Sequence, residues 1–165
     1  IEPVTALQKA TLQFFFDDRA NLDALLAILR KKYAVRVIEY FMNVYVVKNR
    51  IVLENADGTF FDIYLEFSNL SSAFRKKNFD FFRRKEKIKL TYDIDPFDPA
   101  KKGCIITTYP QINWYRWAIE VRLFDYIDKH YDAIKADMGV KRQKSKKLSR
   151  LLIMRPRKPI SIRMN

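Results

Sequence analysis

The chain has very little of what most catalytic and metal sites are made of. Its 165 residues include one histidine, His130, one cysteine, Cys104, and three glycines that stand far apart. The usual cysteine–histidine zinc site is therefore improbable, and isolated glycines exclude a phosphate-binding P-loop and a dinucleotide fingerprint. A catalytic triad or a Cys-His pair could be built only around His130. We expect no enzyme activity, no cofactor, no metal and no small-molecule substrate.

Disulfides and membrane spans are also lacking. A lone cysteine cannot form an intrachain disulfide, which is typical of a reducing compartment. The longest apolar run, residues 35–47, is interrupted by Arg36, Glu39 and Asn43, so we expect no transmembrane segment. The first residues show no signal-peptide pattern, and we expect a protein that is not secreted. With 48% hydrophobic and 15% aromatic residues, a packed core is available.

The positive charge is concentrated in two places. The formal net charge is +13, but residues 1–74 and 90–139 are close to neutral. The first basic segment, residues 75–89, holds eight bases and two acids, and residues 140–165 hold ten bases and no acid. Two local sources of positive potential indicate a polyanionic partner. The candidate phosphate-binding residues are Arg75, Lys76, Lys77, Arg83, Arg84, Lys85, Lys141, Arg142, Lys144, Lys146, Lys147 and Arg150.

The apolar periodicity predicts an α+β fold with helices first, strands next and a long helix last. Helices are expected from Pro3, from a cap at Asn21 and over residues 34–49, although the β-branched content of residues 34–49 would also suit a strand. Asp57-Gly58, between two strand-forming runs in residues 50–67, is the best hairpin signal in a small, mostly antiparallel sheet. Residues 86–94 and 104–109 are expected to be strands and residues 95–103 a loop. One helix is expected from Pro110 to Met138, ended by Gly139. We thus predict one domain over residues 1–139 and a basic tail over residues 140–165, with a possible strand at 160–164.

The first basic segment alternates its bases with rings. Phe74, Phe79, Phe81 and Phe82 are too many for all to stack on bases, and the segment leads into a strand. We therefore expect some rings to anchor the segment to the core while the bases stay outside, although a purely solvated face is also open. The second basic segment, residues 141–150, has six bases without an aromatic or an acid, and we expect it to order against phosphates. Trp114 and Trp117, at helical spacing, are more typical of a core than of base stacking.

Three carboxylates are the one group of residues in the sequence that suggests a catalytic site. Asp93, Asp95 and Asp98 could hold a divalent cation for phosphodiester hydrolysis. Aspartate before proline is also ordinary turn chemistry, and no further ligand completes a nuclease pattern, so turn formation is favoured.

Three stretches resemble a known viral family: "VRVIEYFMNVYVVKNRI", "AFRKKNFDFFRRKEKIKL" and "INWYRWAIEVRLFDYIDKHYDAI". The family occurs in iridoviruses and other nucleocytoplasmic large DNA viruses, and is known in iridoviruses as an immediate-early protein. The chain departs from it at residues 39–41, where the family has Asp-Trp-Phe, and at residues 79–82, which lack the family's proline. The resemblance implies a viral protein of the virion or the infected cell, and brings no catalytic residue.

The leading hypothesis is a non-enzymatic nucleic-acid-binding protein, with DNA a better candidate than RNA. The alternative is a virion structural or minor capsid protein, whose tail binds acidic proteins or a membrane surface and whose aromatic surface packs on capsid proteins. A metal-dependent nuclease is the third hypothesis.

Overall fold

The computed structural model describes residues 5–31 and 33–154, and it confirms an α+β fold. At residues 76, 141, 142 and 151–154 it describes the backbone alone. The elements are α1 Ala6–Asp17, α2 Arg19–Arg30, α3 Val35–Tyr40, a π-helical turn Phe41–Tyr45, α4 Val46–Asn49, β1 Val52–Glu54, β2 Phe60–Asp62, α5 Ile63–Phe74, a 3-10 turn Lys76–Asn78, β3 Ile88–Asp95, β4 Asp98–Thr107, α6 Tyr109–Glu120 and α7 Leu123–Met154.

The first two helices begin at side-chain caps. The Thr5 hydroxyl accepts a hydrogen bond from the Gln8 amide, and the Gln8 side chain accepts one from the Thr5 amide. This capping box starts α1 later than the predicted start at Pro3. The Asp18 carboxylate caps α2, so the predicted cap at Asn21 is wrong. A carboxylate in the cap also meets the positive end of the helix dipole.

The helix predicted over residues 34–49 is confirmed, since α3, the π-helical turn and α4 follow one another without a break. The hairpin at Asp57-Gly58 is also confirmed, with Gly58 at φ 84° between antiparallel β1 and β2. Its second strand is shorter than the β-branched and aromatic content suggested. The Asp62 carboxylate accepts a hydrogen bond from the Leu65 amide, which starts α5 where we expected more strand.

β3 and β4 form a second antiparallel ribbon, so the structure has two small sheets in its described part. The loop predicted over residues 95–103 is wrong in its second half, because β4 already begins at Asp98. The turn is tight because the Asp95 and Asp98 side chains accept hydrogen bonds from the amides of Phe97 and Ala100. The ribbon pairs Tyr92 with Gly103.

The long helix predicted from Pro110 to Met138 is two helices. The chain breaks at Val121 and Arg122, where Arg122 takes φ 56° in the left-handed region. Gly139 does not end α7, which continues to Met154. A glycine inside a helix costs about 1 kcal/mol, and the lysines, leucines and arginines that follow favour helix.

Two clusters of buried side chains make the core. The larger joins α3, the π-helical turn, α5, α6 and α7, with Trp114 and Trp117 at 1% and 5% exposure, which confirms that these rings belong to the core. The smaller lies between α1, α2 and the inner face of the β3–β4 ribbon. Within the part of the chain that the structure describes, every helix is too short or too polar to cross a bilayer. The possible strand at residues 160–164 lies outside the described residues.

Candidate nucleic-acid interface

Three of the four rings of the first basic segment, Phe74, Phe79 and Phe81, pack in or against the larger core cluster. Phe79 is 3% exposed, and its ring lies 5.9 Å from Phe67 and 6.0 Å from both Phe74 and Trp117, centroid to centroid. Such contacts bury apolar area and add aromatic pairing energy. Phe79 therefore has no face free to stack on a base, and its role is to anchor the segment.

Phe81 makes a second anchor against α6. Its ring centroid lies 4.6 Å from that of Trp114 and 5.5 Å from that of Tyr115. Burial raises the pKa of Tyr115 to about 12, so the phenol stays neutral under this ring at physiological pH. The expectation that some rings hold the segment on the core is confirmed for Phe79 and Phe81.

The backbone of the segment is tied to the start of α6 by polar contacts. The Asn113 side-chain amide donates to the Asn78 carbonyl at 2.8 Å, and the Thr108 hydroxyl donates to the Arg83 carbonyl at 2.9 Å. Asn113 and Thr108 are buried, and the Asn113 side-chain oxygen also accepts a 2.6 Å bond from Thr11 of α1. These bonds span 25 to 102 residues of sequence and fix the position of the segment.

The bases of the first segment point outward. Arg75, Lys77, Arg84 and Lys85 are exposed, whereas Arg83 is half-buried with its guanidinium 3.8 Å from Glu86. The side chain of Lys76 lies outside the described residues. Arg75 and Glu86 both have positive φ, 64° and 60°, in a region that costs a non-glycine residue about 1–3 kcal/mol.

The second basic segment is helical. Within the predicted basic tail, residues 140–154 continue α7 as an uninterrupted helix, here called the α7 extension. Lys144, Lys146, Lys147 and Arg150 are exposed on it. Lys141 and Arg142 lie in its first turn, and their side chains are outside the described residues.

α7 is packed against the core before Met138 and has no acidic residue in its described part after Asp137. Before Met138 its inner stripe, which includes Ile127 and Ile134, is buried against α3, and the Asp137 carboxylate binds Lys48 at 2.9 Å and accepts from the Tyr40 hydroxyl. After Asp137 the described part of α7 contains no acid. The extension thus presents cations without an acid in its own sequence to neutralise them.

A shallow groove of about 750 Å³ lies where α7 diverges from α3 and the π-helical turn. Arg36 and Lys146 bring cations to it, Glu39 brings a carboxylate, and Tyr40 and Asn43 bring neutral polar groups. Burial and the hydrogen bond to Asp137 raise the pKa of Tyr40 to about 12, so this hydroxyl is a neutral donor. The groove adds Arg36, which the charge counts did not single out, to the surroundings of the α7 extension.

The three carboxylates of the nuclease hypothesis are engaged separately. Asp93 pairs with Lys102 across the ribbon, while Asp95 and Asp98 accept the turn hydrogen bonds described above. Among residues 5–31 and 33–154, no group of three or more His, Cys, Asp or Glu side chains is placed to hold a metal ion. The hydrogen bonds of Asp95 and Asp98 are those expected if these aspartates serve to form the turn. His130 stacks on Tyr126 at 4.2 Å.

Sequence reasoning missed the residues that position the interface. Thr108 had a local signal, since threonine before Tyr109-Pro110 is a typical helix cap, and it does cap α6. Asn113 had none, because its partners lie on α1 and in the first basic segment. The candidate cations, in contrast, are visible in the sequence, and their role in binding stays a prediction.

Comparison with known proteins gives a family but no activity. A family model described as "Family of unknown function (DUF7197)" matches residues 4–155. The chain belongs to this family. A related protein of Acanthamoeba polyphaga mimivirus, described as uncharacterized, is 27% identical over 141 residues, which cover 81% of this chain and 53% of that protein. The chain thus spans about half the length of the curated relative it matches, and no solved structure matches it.

The comparisons confirm the viral part of the predicted resemblance, since a family of unknown function matches the chain and a related protein occurs in a large DNA virus. The link to iridoviruses and to an immediate-early protein stays a prediction, as does the division into residues 1–139 and 140–165.

Proposed function

We propose that this chain is a non-enzymatic nucleic-acid-binding protein of a large DNA virus, which grips phosphates through the first basic segment and the α7 extension. The observation that carries the proposal is the α7 extension, a helix with six bases and no acid in its sequence that is exposed at residues 143–150. Fixed cations of this kind bind phosphates and release counterions. DNA is the expected partner, in the virion or in the cytoplasm or nucleus of the infected cell.

The first basic segment supports the same proposal. Its rings are anchored and its backbone is tied to α6, so Arg75, Lys77, Arg84 and Lys85 are held on the surface at little further entropic cost on binding. Phosphate contacts from lysine and arginine position a protein without reading bases. We therefore expect weak sequence preference.

The test is fluorescence anisotropy of the full chain with labelled DNA and labelled RNA between 50 and 200 mM salt. If about six to eight phosphates are neutralised, the affinity should fall about 10³- to 10⁵-fold over that range. Absence of binding to DNA and RNA even at 50 mM salt would rule the proposal out.

A structural protein of the virus particle is the second candidate, and exposed apolar side chains favour it. Phe97 is 96% exposed at the tip of the β3–β4 ribbon, next to Ile94 at 55%, and Phe60 is 70% exposed on β2. Protein contact sites are typically rich in exposed apolar and aromatic side chains, so these residues are the candidates for a contact with capsid proteins. High copy number in purified particles, with no nucleic-acid affinity at physiological salt, would select this candidate. The nuclease hypothesis is not proposed, because Asp93, Asp95 and Asp98 already form an ion pair and turn hydrogen bonds.

A further inference from the structure

The α7 extension has the dimensions of a groove-binding helix. Its 15 residues, 140–154, are about 22 Å long at 1.5 Å per residue, and its backbone continues the helix that is anchored in the core by Ile127 and Ile134. Residues 143–150 are all exposed. A ligand can therefore approach several turns of a helix whose direction is already fixed by the fold.

The bases are distributed around this helix. At 100° per residue, Lys146, Arg150 and Lys147 lie about 200°, 240° and 300° from Lys144. Positions 141 and 142, which are also basic in the sequence, fall at about 60° and 160°. The widest arc of the helix surface without a basic position is therefore about 100°. A helix that lies on one phosphate strand or on a flat anionic surface needs its cations on one side only.

We infer that the α7 extension enters the major groove of B-form duplex DNA and contacts the phosphates of both groove walls. The inference rests on the proposed function and names its substrate. The major groove is about 12 Å wide and admits a helix of 10–12 Å diameter, with a phosphate row on either side. The major groove of A-form RNA is too narrow for side chains to read, and a single strand has no second wall.

The composition of the extension indicates how much sequence it reads. Four of its six bases are lysines, which act as point charges on phosphates. Leu148 is 60% exposed and can contact a thymine methyl group, and Gln143 can pair with adenine. Gln143 and Leu148 lie about 140° apart around the helix, so only one of them can face the base edges at a time, and the expected preference for A·T pairs is modest.

The test separates helical shape from charge. The full chain, Ser145→Pro and Ser145→Ala are compared for binding to duplex DNA, single-stranded DNA and duplex RNA of equal length at 150 mM salt. Proline at residue 145 removes a helix hydrogen bond and clashes with the preceding turn while it keeps every cation. We expect the wild-type chain and Ser145→Ala to prefer duplex DNA by about tenfold or more, and Ser145→Pro to lose that preference but bind single strands within about threefold of wild type.

Ser149→Pro, with Ser149→Ala as its control, repeats the test farther from the core, and circular dichroism monitors the body in each variant. Equal affinity of the wild-type chain for the three nucleic acids, or an undiminished duplex preference in both proline variants, would overturn the inference and leave the proposed function intact. Failure to bind any of the three probes at 150 mM salt would overturn the inference, and failure at 50 mM salt as well would overturn the proposed function.

Discussion

Replacing Lys144, Lys146, Lys147 and Arg150 together by glutamine should lower the affinity for duplex DNA at 150 mM salt by a factor on the order of 10³. These four exposed cations lie on the α7 extension, and each phosphate contact releases close to one counterion. The slope of log affinity against log salt should therefore fall by roughly 3 to 4. Anisotropy titrations at four salt concentrations measure both quantities.

The control variant removes the same charge elsewhere. Glutamine at Lys9, Arg30, Lys129 and Lys135 also neutralises four exposed bases, but these lie on α1, α2 and the earlier part of α7. It should change the slope by less than about 1, because charges away from the contact act only through screened, long-range attraction. Equal losses in the two variants would mean that net charge alone, and not the α7 extension, drives binding.

Phe79→Ala should lower the free energy of unfolding by about 3–5 kcal/mol. The ring is 3% exposed among Phe67, Phe74 and Trp117, and its removal leaves a cavity that the fixed backbone around Asn78 cannot easily close. Total stabilities of small domains are about 5–15 kcal/mol, so this is a large fraction. Urea unfolding followed by circular dichroism measures the change.

Arg84→Ala is the matched surface change in the same segment, and it should alter stability by no more than about 0.5 kcal/mol while it weakens DNA binding. The two variants thus separate the anchoring role of the rings from the binding role of the bases. A Phe79→Ala variant of unchanged stability but reduced DNA affinity would show instead that the ring stacks on bases.

Local chemistry made part of the fold predictable. Asp57-Gly58 specifies a hairpin because glycine takes the positive φ that the turn needs. Trp114 and Trp117 follow helical spacing, and both are buried as predicted.

Other features had no local signal or a misleading one. The break between α6 and α7 lies at Arg122, a residue that rarely takes positive φ, so tertiary packing of Leu123 and Phe124 decides it. Gly139 carried a helix-stop signal that the helix formers after it override. α5 replaced a predicted strand because the Asp62 cap outweighs the β-propensity of the residues that follow.

Part of the candidate interface could likewise be predicted from the sequence, and part could not. Its cations were visible as runs of lysine and arginine, because charge needs no tertiary context to be counted. Its supports were not, since Thr108 and Asn113 bond to carbonyls 25 and 35 residues away in the chain. The helical state of residues 140–154 was missed because the segment was judged by its charge and not by its helix propensity.

Lysine footprinting on the intact complex tests the central claim most directly. The chain would be acetylated with and without duplex DNA, and the modified lysines would be identified by mass spectrometry. We expect protection of Lys77 and Lys85 in the first basic segment and of Lys144, Lys146 and Lys147 on the α7 extension, with Lys9, Lys129 and Lys135 unchanged. Equal protection of all these lysines, or protection confined to Lys9, Lys129 and Lys135, would contradict the account.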